Sequence, residues 1–159
     1  MSSTYRTGLT TAGRFGLTVN ASWLLKYVLT ASNGFVVLDR RGTERGSPDQ
    51  AFPKFKGNAT IDWSLGRVAA SFTGRYIGRV TEIDTNTGLP HELGKRFYGD
   101  FQFNFTPPVL DNRMLLTVGI NNAFDTDPPS CVSCSLNNFD ATTYDVPGQF
   151  GYARISYKM

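Results

Sequence analysis

A strict two-residue alternation of apolar and polar side chains constrains this chain more than any other feature. Across residues 14–27 the odd positions are Phe15, Leu17, Val19, Ala21, Trp23, Leu25 and Tyr27, and the positions between them are Gly16, Thr18, Asn20, Ser22, Leu24 and Lys26. Successive side chains of a strand point to opposite faces, so such a segment is a ribbon with one apolar and one wet side. A ribbon of this length exceeds the usual strand of about five or six residues in a globular sheet. It matches the roughly nine to eleven residues that a strand needs to cross a bilayer at a slant.

Five further segments repeat the pattern. Residues 57–65 set Ala59, Ile61, Trp63 and Leu65 against Asn58, Thr60, Asp62 and Ser64. Residues 67–80 set Val68, Ala70, Phe72, Tyr76 and Val80 against Arg67, Ser71, Thr73, Arg75 and Arg79, with Ile77 breaking the polar side. Residues 96–105 oppose Phe97, Phe101, Phe103 and Phe105 to Tyr98, Asp100, Gln102 and Asn104. Residues 114–124 place Leu116, Val118, Ile120 and Phe124 on one side, and residues 153–159 place Ala153, Ile155, Tyr157 and Met159 there. Helical periodicity fits none of the six, so all are read as strands.

The links between ribbons alternate in length. A turn at Leu65-Gly66 joins the second and third ribbons, and the Pro-rich TPPVLDN joins the fourth and fifth. The other links are long: about 29 residues, about 15, and more than 20. In an antiparallel meander this sorts the tight turns to one end and the long loops to the other, as in outer-membrane barrels. The wet faces carry Asn, Thr, Ser, Gly and Arg rather than Lys and Glu, which suits a crowded aqueous lumen. Trp63, Leu65 and Tyr157 at one end and Trp23 and Tyr27 at the other are placed for two interfacial aromatic girdles.

Composition excludes several classes. No apolar run approaches the length of a transmembrane helix. The net charge of +3 is dispersed, which argues against nucleic-acid binding. Residues 1–13 lack the apolar core of a secretory signal and read as a partial or disordered lead-in, with the barrel segment spanning 14–159. A chain that acts outside the cytoplasm then either has a leader hidden by its numbering or is the tail of a longer protein.

The stretch LTVGINNAFDTDPP (116–129) resembles the GVxNLFD-type strand end of TonB-dependent receptors, with Ala123 where Leu is usual. YDVPGQFGYARISYKM (144–159) resembles their last strand, Y-x-x-P-G-R-x-x-Y-x-R-x-x-Y-x-F, with Gln149 for Arg and Met159 for Phe. LTVNASWLLKY and FPKFKGNATIDWSLGRVAASFTGRYIGRV are similar to earlier strands of the same barrel. The resemblance implies an all-β, antiparallel up-and-down transmembrane barrel of 22 strands with an amino-terminal plug, importing scarce nutrients with energy from an inner-membrane complex. This chain would supply about six carboxy-terminal strands, no plug and no TonB box. Six strands cannot close a barrel, so the chain is expected to be a carboxy-terminal piece of such a receptor, or a truncated or mis-started gene product. The resemblance further implies a Gram-negative outer membrane and partners in lipid and the barrel-assembly machinery, whose signal would include Tyr157 and Met159. The TonB complex would be engaged only through the missing part. The ligand class (siderophore-iron, cobalamin or saccharide) stays open, and no cofactor is implied. A small self-contained β-barrel or sandwich binding protein, or a passive porin, is the alternative.

Few side chains point to chemistry. Cys131 and Cys134 form a CVSC pair in the last long loop, open to three readings. They are a disulfide, free thiols, or half of a metal or redox site. Zinc needs four ligands, and the only histidine, His91, lies in a different loop. No metal site is therefore assigned. Asp125, Asp127, Asp140 and Asp145 lack the spacing of a calcium loop and read as solvated carboxylates. The polar-face arginines Arg67, Arg75, Arg79 and Arg154 either guide an anionic ligand or pair with lumen acids; Arg75, Arg79 and Arg154 are the candidate ligand contacts. His91 and Glu92 have no nucleophile at readable spacing, so no catalytic residue is expected. Asn-x-Ser/Thr tripeptides at Asn20, Asn58 and Asn104 fall inside strands and are read as chance.

Overall fold

The structure, a computed structural model, describes every residue except Ala31, Phe35, Ser47, Pro48, Leu110, Asp111, Leu136 and Met159, and at Val36, Val37 and Gly46 the backbone alone. Its described residues form strands with almost no helix. Among the described residues no helix is long and apolar enough to cross a membrane. Seven strands make one antiparallel sheet: β1 (Ser2–Arg6), β2 (Arg14–Trp23), β7 (Phe55–Leu65), β8 (Val68–Ile77), β11 (Arg96–Phe105), β12 (Met114–Asn121) and β13 (Phe150–Tyr157), in that spatial order. Each hydrogen-bonds to its successor in the list, and β1 and β13 stand as the two edges. Three small hairpins fill the long loops: β3 (Val28–Thr30) with β4 (Val36–Asp39), β5 (Glu44–Gly46) with β6 (Asp49–Ala51), and β9 (Val80–Ile83) with β10 (Pro90–Leu93).

The all-β antiparallel reading holds, with three differences in extent. Residues 2–6, read as part of a lead-in, form a seventh strand paired with β2 from Ser2↔Asn20 to Arg6↔Gly16. Its polar composition hid it, because only Tyr5 marks an apolar side. The first ribbon ends at Trp23, where the Leu24 amide turns to the Lys54 carbonyl; Tyr27 packs in the loop against Phe52, with ring centroids 4.8 Å apart. The third ribbon breaks after Ile77, so Val80 belongs to β9, outside the main sheet. At the break the Gly78 amide reaches the Phe55 carbonyl at 2.9 Å. A Cβ on Gly78 would stand 2.9 Å from that same oxygen.

Register gathers the apolar positions onto one face. Leu17 pairs with Ile61, Ile61 with Phe72, Phe72 with Phe101, and Phe101 with Ile120, in one row across five strands. Toward the long loops, Trp23, Phe55 and Tyr76 form an aromatic row with centroids 4.6 and 5.7 Å apart, and Phe97 stacks on Phe124 at 6.0 Å. Phe124 lies beyond the end of β12, yet its ring folds back over Gly99, where a Cβ would come within 2.3 Å of it. Phe15, Trp63 and Leu65 occupy the opposite end.

This face is bare. Ile61 is 52% exposed, Phe101 45% and Val118 51%. The buried apolar cluster lies instead among the loops: Ala51, Val80, Leu93, Cys131, Cys134 and Tyr144, with Ile77 against it. Those residues come from all three long links, 24–54, 78–95 and 122–149, so the loops pack into a single cap. The short links at 7–13, 66–67 and 106–113 lie at the other end. Here Gly66 (φ 57°) and Gly13 (φ 102°) adopt the left-handed conformation that tight turns favour.

Candidate functional site

Two regions carry polar chemistry: the wet face of the sheet and the loop cap above it. On the wet face, neutral side chains pair across strands. Asn20 Nδ2 donates to Asn58 Oδ1 at 2.9 Å, Thr60 and Thr73 hydroxyls meet at 2.9 Å, and Thr117 Oγ1 donates to Asn104 Oδ1 at 2.8 Å. Tyr152 Oη donates to Gln102 Oε1 at 3.0 Å while its ring lies over Gly119. The three asparagines of the Asn-x-Ser/Thr tripeptides are thus strand residues of the wet face.

Arg75 is the hub where face and cap meet. Its guanidinium donates to Asp100 on β11 (Nε–Oδ2, 2.9 Å) and to Asp145 in the last loop (Nη2–Oδ2, 2.6 Å; Nη1–Oδ1, 3.0 Å). It also lies over the Tyr98 ring, 5.2 Å from the centroid. Asp100 Oδ1 in turn accepts the backbone amide of Asn122. Asn122, buried and at φ 48°, locks the turn after β12: its Nδ2 donates to the Thr126 carbonyl and its Oδ1 accepts the Thr126 amide. Of the two readings open for Arg75, pairing with acids is the one this geometry realises.

The other arginine candidates do not converge with it. Arg79 Nη1 meets Glu92 at 3.3 Å, both well exposed. Arg154 stands on β13 opposite Thr117, exposed, with no acidic partner among the described residues. Arg67 sits in the short turn, its carbonyl accepting the Thr106 amide. Tyr157 is exposed at the end of β13 opposite Met114; Met159 lies outside the described residues.

The two stretches that carry the family resemblance touch each other. Asp125 Oδ1 accepts the Gln149 amide at 2.9 Å, and Gln149 Nε2 donates to the Ala123 carbonyl at 2.9 Å. Gly148 leaves room for this contact, since a Cβ there would sit 2.7 Å from Asp125 Oδ1 and displace the carboxylate. Beneath this loop lies a cleft of about 640 Å³ bordered by Asn121, Tyr144, Asp145, Pro147 and Phe150.

In the cap, Cys131 and Cys134 are joined as a disulfide. Their turn wraps around Glu82 of β9. This buried carboxylate accepts the amides of Val132 (2.9 Å) and Ser133 (2.7 Å) and meets His91 Nδ1 at 2.6 Å. Burial alone would raise the Glu82 pKa, but the hydrogen bonds from Ser133, His91 and Val132 outweigh it and hold the acid below its ordinary range. Asp140 behaves likewise: burial raises it, while Thr142, Thr143 and the Ala51 amide lower it further. Glu44 is the opposite case. Burial, then the nearby Asp140 charge, push it from 4.5 up to about 7, against the amides of Arg45 and Gln50. Its Oε2 is buried without a hydrogen-bond partner among the described residues, as is the Tyr144 hydroxyl, whose pKa burial also raises. Asp127 offers its carbonyl to Arg96 Nε at 2.7 Å.

Sequence reasoning passed over Asp100, Asn122, Glu44 and Glu82. Asp100 was legible only as wet-face alternation, Asn122 fell in phase with the apolar positions of its ribbon, and the two glutamates fell in links without periodicity. Compared with family models, curated proteins and solved structures, the chain matches none.

Proposed function

We propose that this chain is a stretch of outer-membrane barrel wall, from the carboxy-terminal part of a TonB-dependent receptor that takes up a scarce nutrient. The observation that carries the reading is the inversion of burial. The long apolar face of the sheet is bare, while the buried apolar cluster sits in the loops. A face of this extent in water would be an aggregation surface; against acyl chains it is the ordinary solvent-matched exterior of a barrel. The aromatic row of Trp23, Phe55 and Tyr76 at the loop end supports the same placement, as does the sorting of long and short links. The contact between Asp125 and Gln149 joins the two family-like stretches in one piece of structure.

In this reading the wet face lines the lumen and the cap forms part of the outer mouth. The amide and hydroxyl pairs offer a neutral, hydrated wall. Arg75, held by Asp100 and Asp145, fixes the last loop over the mouth instead of meeting the nutrient directly. The strands beyond the β1 and β13 edges would close the barrel, because unpaired backbone groups in lipid cost several kcal/mol each. The test is fractionation of the native protein: recovery from outer-membrane fractions as a heat-modifiable band is expected. A folded monomer in detergent-free buffer would overturn the reading.

A further inference from the structure

The fold brings together four ligand-type side chains that the sequence left in separate loops. His91 on β10 and Glu82 on β9 face each other across one hairpin, and the Cys131–Cys134 turn closes over Glu82. Glu82, with a side chain of zero exposure, touches both: Oε1 stands 2.6 Å from His91 Nδ1 and Oε2 3.3 Å from Cys131 Sγ. No group of three metal-ligating side chains stands ready among the described residues, and the two sulfurs are bonded to each other.

We propose that reduction of the Cys131–Cys134 bond converts this cluster into a site for a zinc-class ion, held by Cys131, Cys134, His91 and Glu82. The ligand types are those of tetrahedral zinc, and C-x-x-C is the spacing at which two thiolates share one ion. Sulfur and oxygen or nitrogen on such an ion, at about 2.3 and 2.1 Å from the metal, stand roughly 3.4–3.6 Å from each other. The Glu82–Cys131 and Glu82–His91 separations fall short of that by less than about 1 Å, so these two pairs reach it by small side-chain shifts, and Cys134 joins once its bond to Cys131 opens. Two thiolates and an imidazole select zinc, cobalt or similar ions over calcium or magnesium. His91, its side chain 42% exposed, leaves the cluster a route to solvent.

The chemistry balances with a dithiol as reductant. Two electrons and two protons pass to the disulfide, the Cys131–Cys134 bond breaks, the dithiol closes to its own disulfide, and two thiols remain. The incoming ion then displaces both thiol protons to solvent, with His91 bound as the neutral imidazole. The covalent staple of the last loop becomes a coordination staple that also ties in the β9–β10 hairpin. The inference is independent of the barrel reading, since it concerns the cap alone.

The test uses the full chain, reduced and freed of reductant under anaerobic conditions, and titrated with cobalt(II). We expect one equivalent to give the visible absorption of tetrahedral thiolate-bound cobalt, bleached by zinc. The oxidised chain should give none. His91→Ala, a change at the solvent-facing ligand, should weaken binding at least tenfold. Absence of the tetrahedral band in the reduced chain overturns the proposal, and so does His91→Ala binding with unchanged spectrum and affinity.

Discussion

Substituting arginine along one strand separates a lipid-facing sheet from a water-facing one. On β11, Phe97, Phe101, Phe103 and Phe105 lie on the bare face, while Tyr98, Asp100, Gln102 and Asn104 lie on the other. From Phe97 to Phe105 the strand advances roughly 26 Å, and a tilt of about 40° leaves roughly 20 Å of depth within an apolar band about 25 Å tall. Phe101 and Phe103 then lie near the midplane, and Phe97 and Phe105 near the two interfaces. Arginine at the midplane of a barrel costs about 2–4 kcal/mol, falling to about 0–1 near the interfaces. Lost ring packing must be subtracted: Phe101 packs at a tilt against Phe72 at 4.6 Å and meets Phe124 edge-on at 6.4 Å, each pair contributing about 0.5–1.5 kcal/mol. The informative quantity is therefore the difference between the Phe→Arg and Phe→Ala variants at each position. Measured by urea unfolding in phospholipid vesicles, this difference should peak at 101 and 103 at about 2–4 kcal/mol. Gln102→Arg gives up the hydrogen bond from Tyr152 and should cost about 0.5–1.5 kcal/mol, below the midplane penalty on the other face. A flat profile along β11, with Arg no worse than Ala, would refute the assignment of this face to lipid.

Three further outcomes follow from local geometry. Replacing Arg75 by Gln and Asp145 by Asn should be non-additive by about 1 kcal/mol, read from hydrogen exchange in the last loop. That is a charge-assisted pair of about 1.5–3 kcal/mol reduced for partial exposure; strict additivity would show that Arg75 does not tether the loop. Glu44, pushed up to about 7, adds stability below about pH 4.5 that fades as pH rises through 7. Protection factors of cap amides such as Ala51, which correct for the base-catalysed intrinsic exchange rate, should therefore be lower at pH 8 than at pH 6; Glu44→Gln should abolish that difference, and a fall in protection that survives the substitution refutes the link. Gly119→Ala would place a Cβ 2.4 Å from the Tyr152 ring and should cost about 1–3 kcal/mol in unfolding midpoint analysis; a neutral result would mean the ring does not rest on Gly119.

Much of the sheet was legible because alternation is a direct projection of strand geometry. Phe101, Phe103 and Phe105 needed no tertiary knowledge to be placed on one face. Strand β1 was not legible, since Ser2–Arg6 holds its place through pairing with β2 instead of an apolar face of its own. The cap was illegible for a related reason. Glu82, Glu44 and Asp140 lie in links with no period, and they matter only because three loops fold over one another. The arginines were half legible: alternation put Arg75 on the wet face, but its acids come from positions 25 and 70 residues away along the chain. His91 and the CVSC pair were judged unrelated because separation along the chain concealed the shared contact with Glu82.

The most direct test of the central claim is the accessibility of nitroxide spin labels on β11 with the protein in lipid. Labels at 101 and 103 should collide freely with oxygen and poorly with a polar nickel complex, and labels at 102 and 104 should show the reverse. Labels at 101 and 103 as accessible to the polar complex as those at 102 and 104 would contradict it.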